Sequence, residues 1–426
     1  MTRPVRARGY PGSAALTICS MPVGPPYDIA VVGAGILGLA TARELLGRHP
    51  GLRLAVIDRE AELGAHQTGH NSGVVHAGIY YAPGSLKARL CVDGAAKLYA
   101  FCERHDIAVE RCGKLIVALD ASELERLDEL ERRGRANGVP GLRRLRAEEI
   151  REVEPHCAGI AALHSPHTGI ADFPAVARAL AGEVRELGGE LALGREVRDV
   201  RRANGLVALE HGDGSTVARH AVFCAGAWAD RLARAVGAPA DPRIVPFRGQ
   251  YLRLRPHARS LVRSLIYPVP DPSLPFLGVH LTRHISGDVL LGPSALLVGA
   301  RDGYRLRTVR GADVRETLAW PGTWRVVARW WRTGLDEMRL AASRRAFVAA
   351  CRRYVPALST DDVDDGWAGV RAQAVSRDGR LVDDFVFSEA AGTLHVRNAP
   401  SPGATSSLAI GEVIADRAAE AFDLAR

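Results

Sequence analysis

Hydrophobic and polar positions between residues 28 and 58 follow a pattern that predicts a strand, a helix and a second strand. The segment DIAVVGAGILGLATARELLGRHPGLRLAVID opens with an apolar run, continues with apolar residues at helical spacing and closes with another apolar run. In the turn, Gly33 redirects the chain, Gly35 lets the backbone approach a pyrophosphate, and Gly38 lets the helix pack on the strand. Asp58 follows the second strand, where a carboxylate can bind a ribose. The segment predicts a dinucleotide site at the helix N-terminus.

Two later segments have the same kind of pattern. ARHAVFCAGAWADRLA, residues 218 to 233, predicts a buried strand at 221–224 that turns through Gly226 into a helix. NAPSPGATSSLAIGEVIADRAAEAF predicts a turn rich in Pro, Gly, Ser and Thr, followed by an amphipathic helix that begins near Ser406. LERLDELERRGRAN, residues 124 to 137, predicts a helix, and strands are expected at 251–255, 276–281 and 289–292.

Length and composition describe a globular enzyme with two lobes. The chain has 426 residues, 47% of them hydrophobic and 24% charged. Its seven cysteines include no CxxC pair, which argues against a disulfide framework and against a zinc site and favours a reducing interior. No apolar stretch reaches eighteen residues, so no spanning helix is expected, although attachment to a membrane surface stays open. Residues 1–26 are expected to form a disordered extension.

The net charge of +8 is compatible with anionic substrates, acidic membranes or nucleic acid. The basic residues form no cluster interleaved with stacking aromatics, and no nucleic-acid-binding module is recognisable, so a nucleic acid partner is not expected. Binding of a cofactor explains the glycine-rich turns of the chain better than binding of nucleic acid does.

The histidine-rich stretch HQTGHNSGVVHAGIYY, residues 66 to 81, separates FAD from NAD as the predicted dinucleotide. A nicotinamide enzyme usually continues into further regular strand and helix units, whereas this chain enters a polar, glycine-rich loop suited to a second phosphate and a ring. A metal site is not expected, because His66 and His70 would need to lie on one helix to bind the same metal ion, and Gly69 and Gly73 argue against a helix there. The loop residues predicted to bind the cofactor are Thr68, His70, Asn71 and Ser72.

Taken together, these segments resemble the D-amino-acid oxidase-like superfamily of FAD-dependent oxidoreductases, and more narrowly the L-2-hydroxyglutarate dehydrogenases, also called oxidases. The narrower likeness rests on the strings HQTGHNSGVVHAGIYYAPGSLKARLC, CGKLIVA, PFRGQYLRL, LIYPVPDPSLPFLGVHLTR, GVRAQAVSRDGRLVDDF and NAPSPGATSS. These strings are spread over residues 27 to 424, and residues 319–333 fit the family poorly.

The resemblance implies an α/β fold, α+β overall, in which a Rossmann-type FAD-binding domain is interleaved with a mixed-sheet substrate domain. The FAD-binding domain would comprise 27–105, 155–236 and 362–426, and the substrate domain 106–154 and 237–361. It also implies that further cofactor contacts come from Val197, Gly226, Gly403, Ala404 and Thr405.

The implied reaction is the oxidation of L-2-hydroxyglutarate to 2-oxoglutarate, with a hydride passing from C2 to flavin N5 while a base takes the hydroxyl proton. An unprotonated histidine suits that base at neutral pH, and His76 and His280 are both candidates for base or substrate orienter. Two substrate carboxylates call for guanidinium groups, for which Arg248, Arg283 and Arg371 are the candidates. The closest alternative is an amine or amino-acid oxidase on the same fold.

The electron acceptor is left open between oxygen and quinone. WPGTWRVVARWWRTGL, residues 320 to 335, predicts a helix in which Trp324, Trp330 and Trp331 alternate with arginines. Such a helix suits a lipid interface and hence a membrane quinone, whereas the alternative is that the tryptophans pack against the substrate lobe. The expected location is cytoplasmic, either free or peripheral on the inner face of the membrane.

Overall fold

The computed structural model describes residues 25–390 and 392–424, so most of the predicted N-terminal extension, residues 1–24, lies outside the described residues. The helices of the described residues are α1 Ile36–Arg48, α2 Leu86–Arg104, α3 Leu124–Ala136, α4 Ala147–Val153, α5 Phe173–Glu186, α6 Ala229–Ala235, α7 Gly311–Leu318, α8 Pro321–Ala342, α9 Arg344–Arg352 and α10 Ser407–Phe422.

The strands lie between these helices, either singly or in runs of several. They are β1 Tyr27–Val32, β2 Leu54–Ile57, β3 Val74–Val75, β4 Val109–Glu110, β5 Lys114–Ala118, β6 Arg143–Arg146, β7 Ala161–Ser165, β8 Gly169–Ala171, β9 Glu190–Ala192, β10 Asp199–Ala203, β11 Leu206–His211, β12 Gly214–Phe223, β13 Arg243–Leu254, β14 Leu265–Pro268, β15 His280–Arg283, β16 Val289–Gly292, β17 Leu296–Leu297, β18 Val363–Val375, β19 Val386–Ala390 and β20 Thr393–Asn398.

An eight-stranded sheet with a parallel centre carries the glycine turn. Its order is β10-β11-β12-β1-β2-β9, with β20 beside β12 and β19 beside β20. β1 runs parallel to both β2 and β12, and β12 runs parallel to β20. Helices α1, α2, α5 and α10 pack together on this sheet around one apolar core. This is the doubly wound arrangement that places ligands at the carboxyl ends of the strands.

A nine-stranded sheet of mixed direction forms the second layer. Its order is β17-β13-β16-β15-β14-β5-β7-β6, with β18 paired along β13. Most neighbours are antiparallel, but β14 and β5 run parallel. A third, smaller sheet has three strands in the order β3-β8-β4. The predicted α/β fold with a Rossmann-type unit and a mixed sheet is therefore confirmed.

The predicted domain boundaries stay a prediction. β7 and β18 belong to the nine-stranded sheet although residues 155–236 and 362–426 were assigned to the FAD-binding domain. β7 is followed by β8 of the three-stranded sheet, and β18 is followed by β19 of the eight-stranded sheet.

The predicted elements are present, with two corrections to their bounds. α3 and α10 begin where the pattern placed them, and the expected strand at 251–255 is the end of the longer β13. The strand expected at 276–281 begins only at His280. The preceding segment PVPDPSLPF contains four prolines, which lack the N–H donor that a sheet ladder needs, so the chain forms a loop there.

Candidate active site

A cavity of about 1040 Å³ is lined by residues of both large sheets. Its size is at the upper end of the range of about 300–1,000 Å³ for small-molecule sites, which leaves room for a dinucleotide. The glycine turn after β1 lies at one end. Tyr267 of β14, His280 of β15 and Arg371 of β18 line another part of the wall.

The turn after β1 has the geometry that the glycine pattern predicts. Gly33 has φ +113°, and a Cβ there would lie 2.4 Å from the carbonyl oxygen of Cys224. A Cβ on Gly38 would lie 1.8 Å from the oxygen of Gly33, so Gly38 serves helix packing and does not line the cavity. At Gly35, by contrast, the nearest atom to an added Cβ is the Oγ1 of Thr68 at 3.5 Å. This turn fits a closely approaching pyrophosphate.

Asp58 and Thr68 hold this turn in place. The Oδ2 of Asp58 accepts a hydrogen bond from the N–H of Ala34 at 2.6 Å, and its Oδ1 accepts one from Glu60 at 2.8 Å. The N–H of Ile36 donates to the Oγ1 of Thr68 at 3.1 Å. Each carboxylate oxygen has a second lone pair, so Asp58 can still accept from a ribose hydroxyl.

The polar loop that follows is fixed by its own side chains. The Nδ2 of Asn71 donates to the carbonyl of Thr68 at 2.7 Å, and its Oδ1 accepts from the N–H of Gly73 at 2.7 Å. The ring of His70 stacks on Tyr304 with centroids 4.0 Å apart. His70, Asn71 and Ser72 all line the cavity, as do Val197 and Gly226 at the end near Asp58.

The turn before α10 closes another side of the cavity. Gly403, Ala404 and Thr405 line it, and the Oγ1 of Thr405 accepts from the N–H of His76 at 3.1 Å while donating to the carbonyl of Val74. The N-cap residue Ser406 makes no side-chain cap, and although the N–H of Ser407 donates to the carbonyl of Ala404, no side chain caps the N–H groups that follow it in the first turn of α10. A helix N-terminus of this kind favours a group that gains negative charge.

His76 and His280 both line the cavity and both are neutral at ordinary pH. Burial, the largest cause, together with the nearby Lys114 charge, lowers the pKa of each to about 3. The Nδ1 of His280 lies 2.9 Å from the carbonyl oxygen of Gly278. Because a carbonyl can only accept, Nδ1 carries the proton and Nε2 is the free acceptor. The ring is held further by Tyr267, which stacks on it at 4.0 Å.

The structure brings only one of the three predicted arginines to the cavity. Arg371 lines it, and its guanidinium lies 4.9 Å from the ring centroid of Phe276. Burial, the largest cause, lowers the pKa of this group, while the carboxylate of Glu337 acts on it in the opposite direction without forming an ion pair with it. Arg371 is therefore a cation available to an anionic ligand.

Arg248 and Arg283 do not line the cavity, and strand alternation gives the reason. Arg371 is paired with Phe247, so the next residue, Arg248, points to the opposite face, where its Nε donates to the carbonyl of Tyr304. Arg283 lies three residues after His280 on β15 and therefore also faces away. Its guanidinium forms a two-bond ion pair with Glu110, at 2.7 and 3.0 Å.

Lys114 is the residue that the sequence interpretation missed. It opens β5 in the segment CGKLIVA and is only 2% exposed. Its Nζ lies 3.8 Å from the ring centroid of Tyr267 and 4.5 Å from that of Tyr80, two tyrosines that line the cavity. The sequence does contain a sign of it, because a lysine at the first position of an otherwise apolar strand is unusual, and charged residues are rarely buried.

Residues 28–417 match the protein family described as FAD dependent oxidoreductase. The chain belongs to this family. It is consequently an oxidoreductase that uses FAD, and the predicted cofactor is confirmed.

Relatives over nearly the whole length carry a narrower name. The chain is 47% identical to the mitochondrial L-2-hydroxyglutarate dehydrogenase of Nematostella vectensis, over 93% of this chain and 91% of the relative. It is 45% identical to the human mitochondrial protein of that name, over 93% and 90%. It is 42% identical to the L-2-hydroxyglutarate dehydrogenase of Indibacter alkaliphilus, over 93% and 100%. These matches confirm the resemblance found in the sequence.

Solved structures of the same fold include FAD-dependent oxidases. The L-α-glycerophosphate oxidase of Mycoplasma pneumoniae, with FAD bound, superimposes with a TM-score of 0.75 at 23% identity over 93% of this chain and 95% of that one. Glycine oxidase from Geobacillus kaustophilus gives a TM-score of 0.68 at 22% identity, over 93% and 95%. At this identity the likeness supports the fold alone.

Proposed function

We propose that this flavoprotein oxidises L-2-hydroxyglutarate to 2-oxoglutarate. The observation that carries the proposal is the cavity wall formed by Arg371, the half-buried His76 and the buried His280, with Lys114 directly behind it. Cations that form no ion pair within the protein favour a dicarboxylate, and neutral imidazoles can accept a hydroxyl proton. The relatives named L-2-hydroxyglutarate dehydrogenase, at 42–47% identity, support the same substrate.

The residues that would hold FAD are those of the glycine turn, the polar loop and the turn before α10. They are Gly33, Gly35, Asp58, Thr68, His70, Asn71, Ser72, Val197, Gly226, Gly403, Ala404 and Thr405. When bound, FAD supplies the acceptor for the hydride that leaves C2 of the substrate.

The chain itself orients the substrate and takes its proton. Arg371 binds one carboxylate with two parallel N–H donors, which fixes the position of C2. His280 accepts the hydroxyl proton at Nε2, since its Nδ1–H is already donated to Gly278. His76, whose backbone N–H is tied to Thr405, holds the substrate hydroxyl or the second carboxylate. The apolar rings of Tyr267 and Phe276 exclude water from the same space.

Anaerobic titration of the purified holoenzyme tests this proposal. The flavin absorption is expected to bleach with L-2-hydroxyglutarate and to stay oxidised with the D enantiomer and with L-glutamate. Bleaching by an amino acid with no response to either hydroxy acid would instead establish the amino-acid oxidase alternative.

For the electron acceptor we propose a membrane quinone reached through α8. No helix in residues 25–390 or 392–424 is long and apolar enough to cross a membrane. On α8, however, five apolar side chains are 41–55% exposed. The backbone departs from helical geometry at Trp330, so two of them, three residues apart, share one side of the segment before Trp330, and three, at spacings of four and three residues, share one side of the segment after it. We name this surface the tryptophan face; it consists of Trp324, Val327, Trp331, Leu335 and Met338.

The composition of the tryptophan face favours an anionic bilayer as its partner. The exposed Arg325, Arg329, Arg332 and Arg339 accompany it along α8, and arginine with tryptophan is typical of helices that lie in a lipid interface. A second copy in a two-fold contact would bring these arginines against each other, which is unfavourable. The third tryptophan, Trp330, instead donates its Nε1–H to Ser273, in the loop that lines the cavity.

The test compares co-sedimentation with vesicles of phosphatidylcholine and phosphatidylglycerol at low salt. The double variant W324A/W331A is expected to lose vesicle binding and quinone reduction while keeping activity with a soluble dye. The matched control is Leu187→Ala, which removes an apolar side chain of 45% exposure after α5 and is expected to change neither. The lipid assignment would be overturned if the double variant bound vesicles as well as the unmodified protein does. It would also be overturned if the unmodified protein formed a concentration-dependent dimer that the double variant no longer forms.

A further inference from the structure

Lys114 is a buried cation whose surroundings contain no fixed negative charge. Its ammonium is enclosed by the rings of Tyr80 and Tyr267. Among the described residues no carboxylate forms an ion pair with it, and burial, the largest cause, lowers its pKa to about 7. A lysine in such a place is only partly charged near neutral pH, because the charged form lacks a partner.

The titratable groups around Lys114 come from α2, from the segment after β3 and from β14 and β15, while its register partner on β7 is the uncharged Ser165. They are Cys91 of α2, His76 and Tyr80 after β3, Tyr267 of β14 and His280 of β15. Burial raises the pKa of Cys91 to about 12 and that of Tyr267 above its ordinary value, and it keeps both histidines neutral. None of these groups supplies a negative charge at neutral pH.

The side chains that separate Lys114 from the cavity share its face of the sheet. Leu265 is the register partner of Lys114, so Tyr267, two residues further along β14, points to the same side. His280 pairs beside Tyr267 on β15 and stacks on it. An anion bound against His280 and Tyr267 therefore comes to lie within the electrostatic reach of the ammonium.

We infer that Lys114 takes up a proton when a dicarboxylate binds in the cavity, so that the anion itself supplies the missing counter-charge. This inference rests on the proposed substrate class. Lys114 does not line the cavity, so it is a positioning residue: it adds positive charge behind the tyrosines and contributes to the affinity for dianions over neutral ligands. Because the bound state holds more protons than the free state, affinity must fall as the pH rises through the titration range of the free lysine.

The experiment uses the holoenzyme and glutarate, a five-carbon dicarboxylate without the reacting hydroxyl. Isothermal titration calorimetry at pH 8 in two buffers of different ionisation enthalpy gives the number of protons taken up per bound anion. About 0.9 proton is expected for the unmodified protein, because a free lysine titrating near 7 is about nine-tenths neutral at pH 8. At pH 6 the expected uptake falls to about 0.1.

Two variants separate the titration from simple damage to the fold. Lys114→Met removes the charge, so it is expected to bind glutarate more weakly at pH 6 and to take up no proton at pH 8. Lys114→Arg carries a permanent charge, so it is expected to bind without proton uptake and with an affinity that no longer declines above pH 7. A merely structural role would weaken both variants alike.

Glutarate binding by the unmodified protein without proton uptake at pH 8 would overturn the inference while leaving the proposed function intact. Uptake that persists in Lys114→Met would also overturn it and assign the proton to a histidine. If glutarate does not bind at all, the proposed substrate class fails, and the inference fails with it.

Discussion

Replacing Arg371 should weaken recognition of the substrate carboxylate far more than any change to the other two predicted arginines. The guanidinium lines the cavity on β18 and forms no ion pair with a carboxylate of the described residues, although Glu337 acts on it at longer range. Hydrogen bonds to charged groups contribute about 1.5–3 kcal/mol each, and truncating one partner of a buried charged pair costs about 2–5 kcal/mol. A loss of about 3 kcal/mol corresponds to a decrease in kcat/KM of about 150-fold.

Arg371→Met is therefore expected to lower kcat/KM for L-2-hydroxyglutarate by about 150-fold, which corresponds to about 3 kcal/mol. Arg371→Lys keeps the charge but loses the paired N–H donors, so it should mainly raise KM, by about 10-fold. Steady-state kinetics with a soluble dye measures both. Activity on L-lactate, which lacks the second carboxylate, indicates whether Arg371 selects for that group.

The matched control is Arg283→Met, which removes an arginine whose bonds go to Glu110 outside the cavity. Its side chain is 31% exposed, so we expect a loss of stability of about 0.2–1 kcal/mol and no change in KM. An Arg371→Met enzyme with full flavin content and an unchanged KM would refute the assignment of the carboxylate site. Equal effects of the Arg371 and Arg283 variants would refute the argument from strand alternation.

Two further outcomes follow from the turn and from the histidines. Gly38→Ala places a Cβ 1.8 Å from the oxygen of Gly33, so we expect a loss of stability of about 1–3 kcal/mol together with loss of FAD. The control on the same helix is Gly47→Ala, whose Cβ would have no atom within 4 Å, and it should raise the stability by about 1 kcal/mol. Thermal unfolding of the two variants measures both changes. Because burial lowers the pKa of His76 and His280 to about 3, the base stays unprotonated and kcat/KM should not fall between pH 7 and 5; an acidic decline centred near 6.5 would contradict this.

Local patterns in the sequence determined the cofactor half of this protein. Gly38 is specified by its contact with the carbonyl oxygen of Gly33, five residues away, whereas the tightest contact at Gly33 is with Cys224, which follows the distant β12. The flanking strand and helix follow from apolar spacing that needs no distant partner. Alternation along β15 was not used in advance, because the strand predicted at 276–281 ended before Arg283. His280 and Arg283 are an odd number of residues apart, and a strand sends such a pair to opposite faces.

Only the tertiary structure decided which side chains face the substrate. Lys114, Tyr267 and His280 are far apart in sequence, and they become neighbours because the register of β5, β14 and β15 puts them on one face. The choice of Arg371 over Arg248 likewise depends on the pairing of β13 with β18. Periodicity identifies a strand but contains no information about its partner or its register, and a shift of one residue would reverse every one of these assignments.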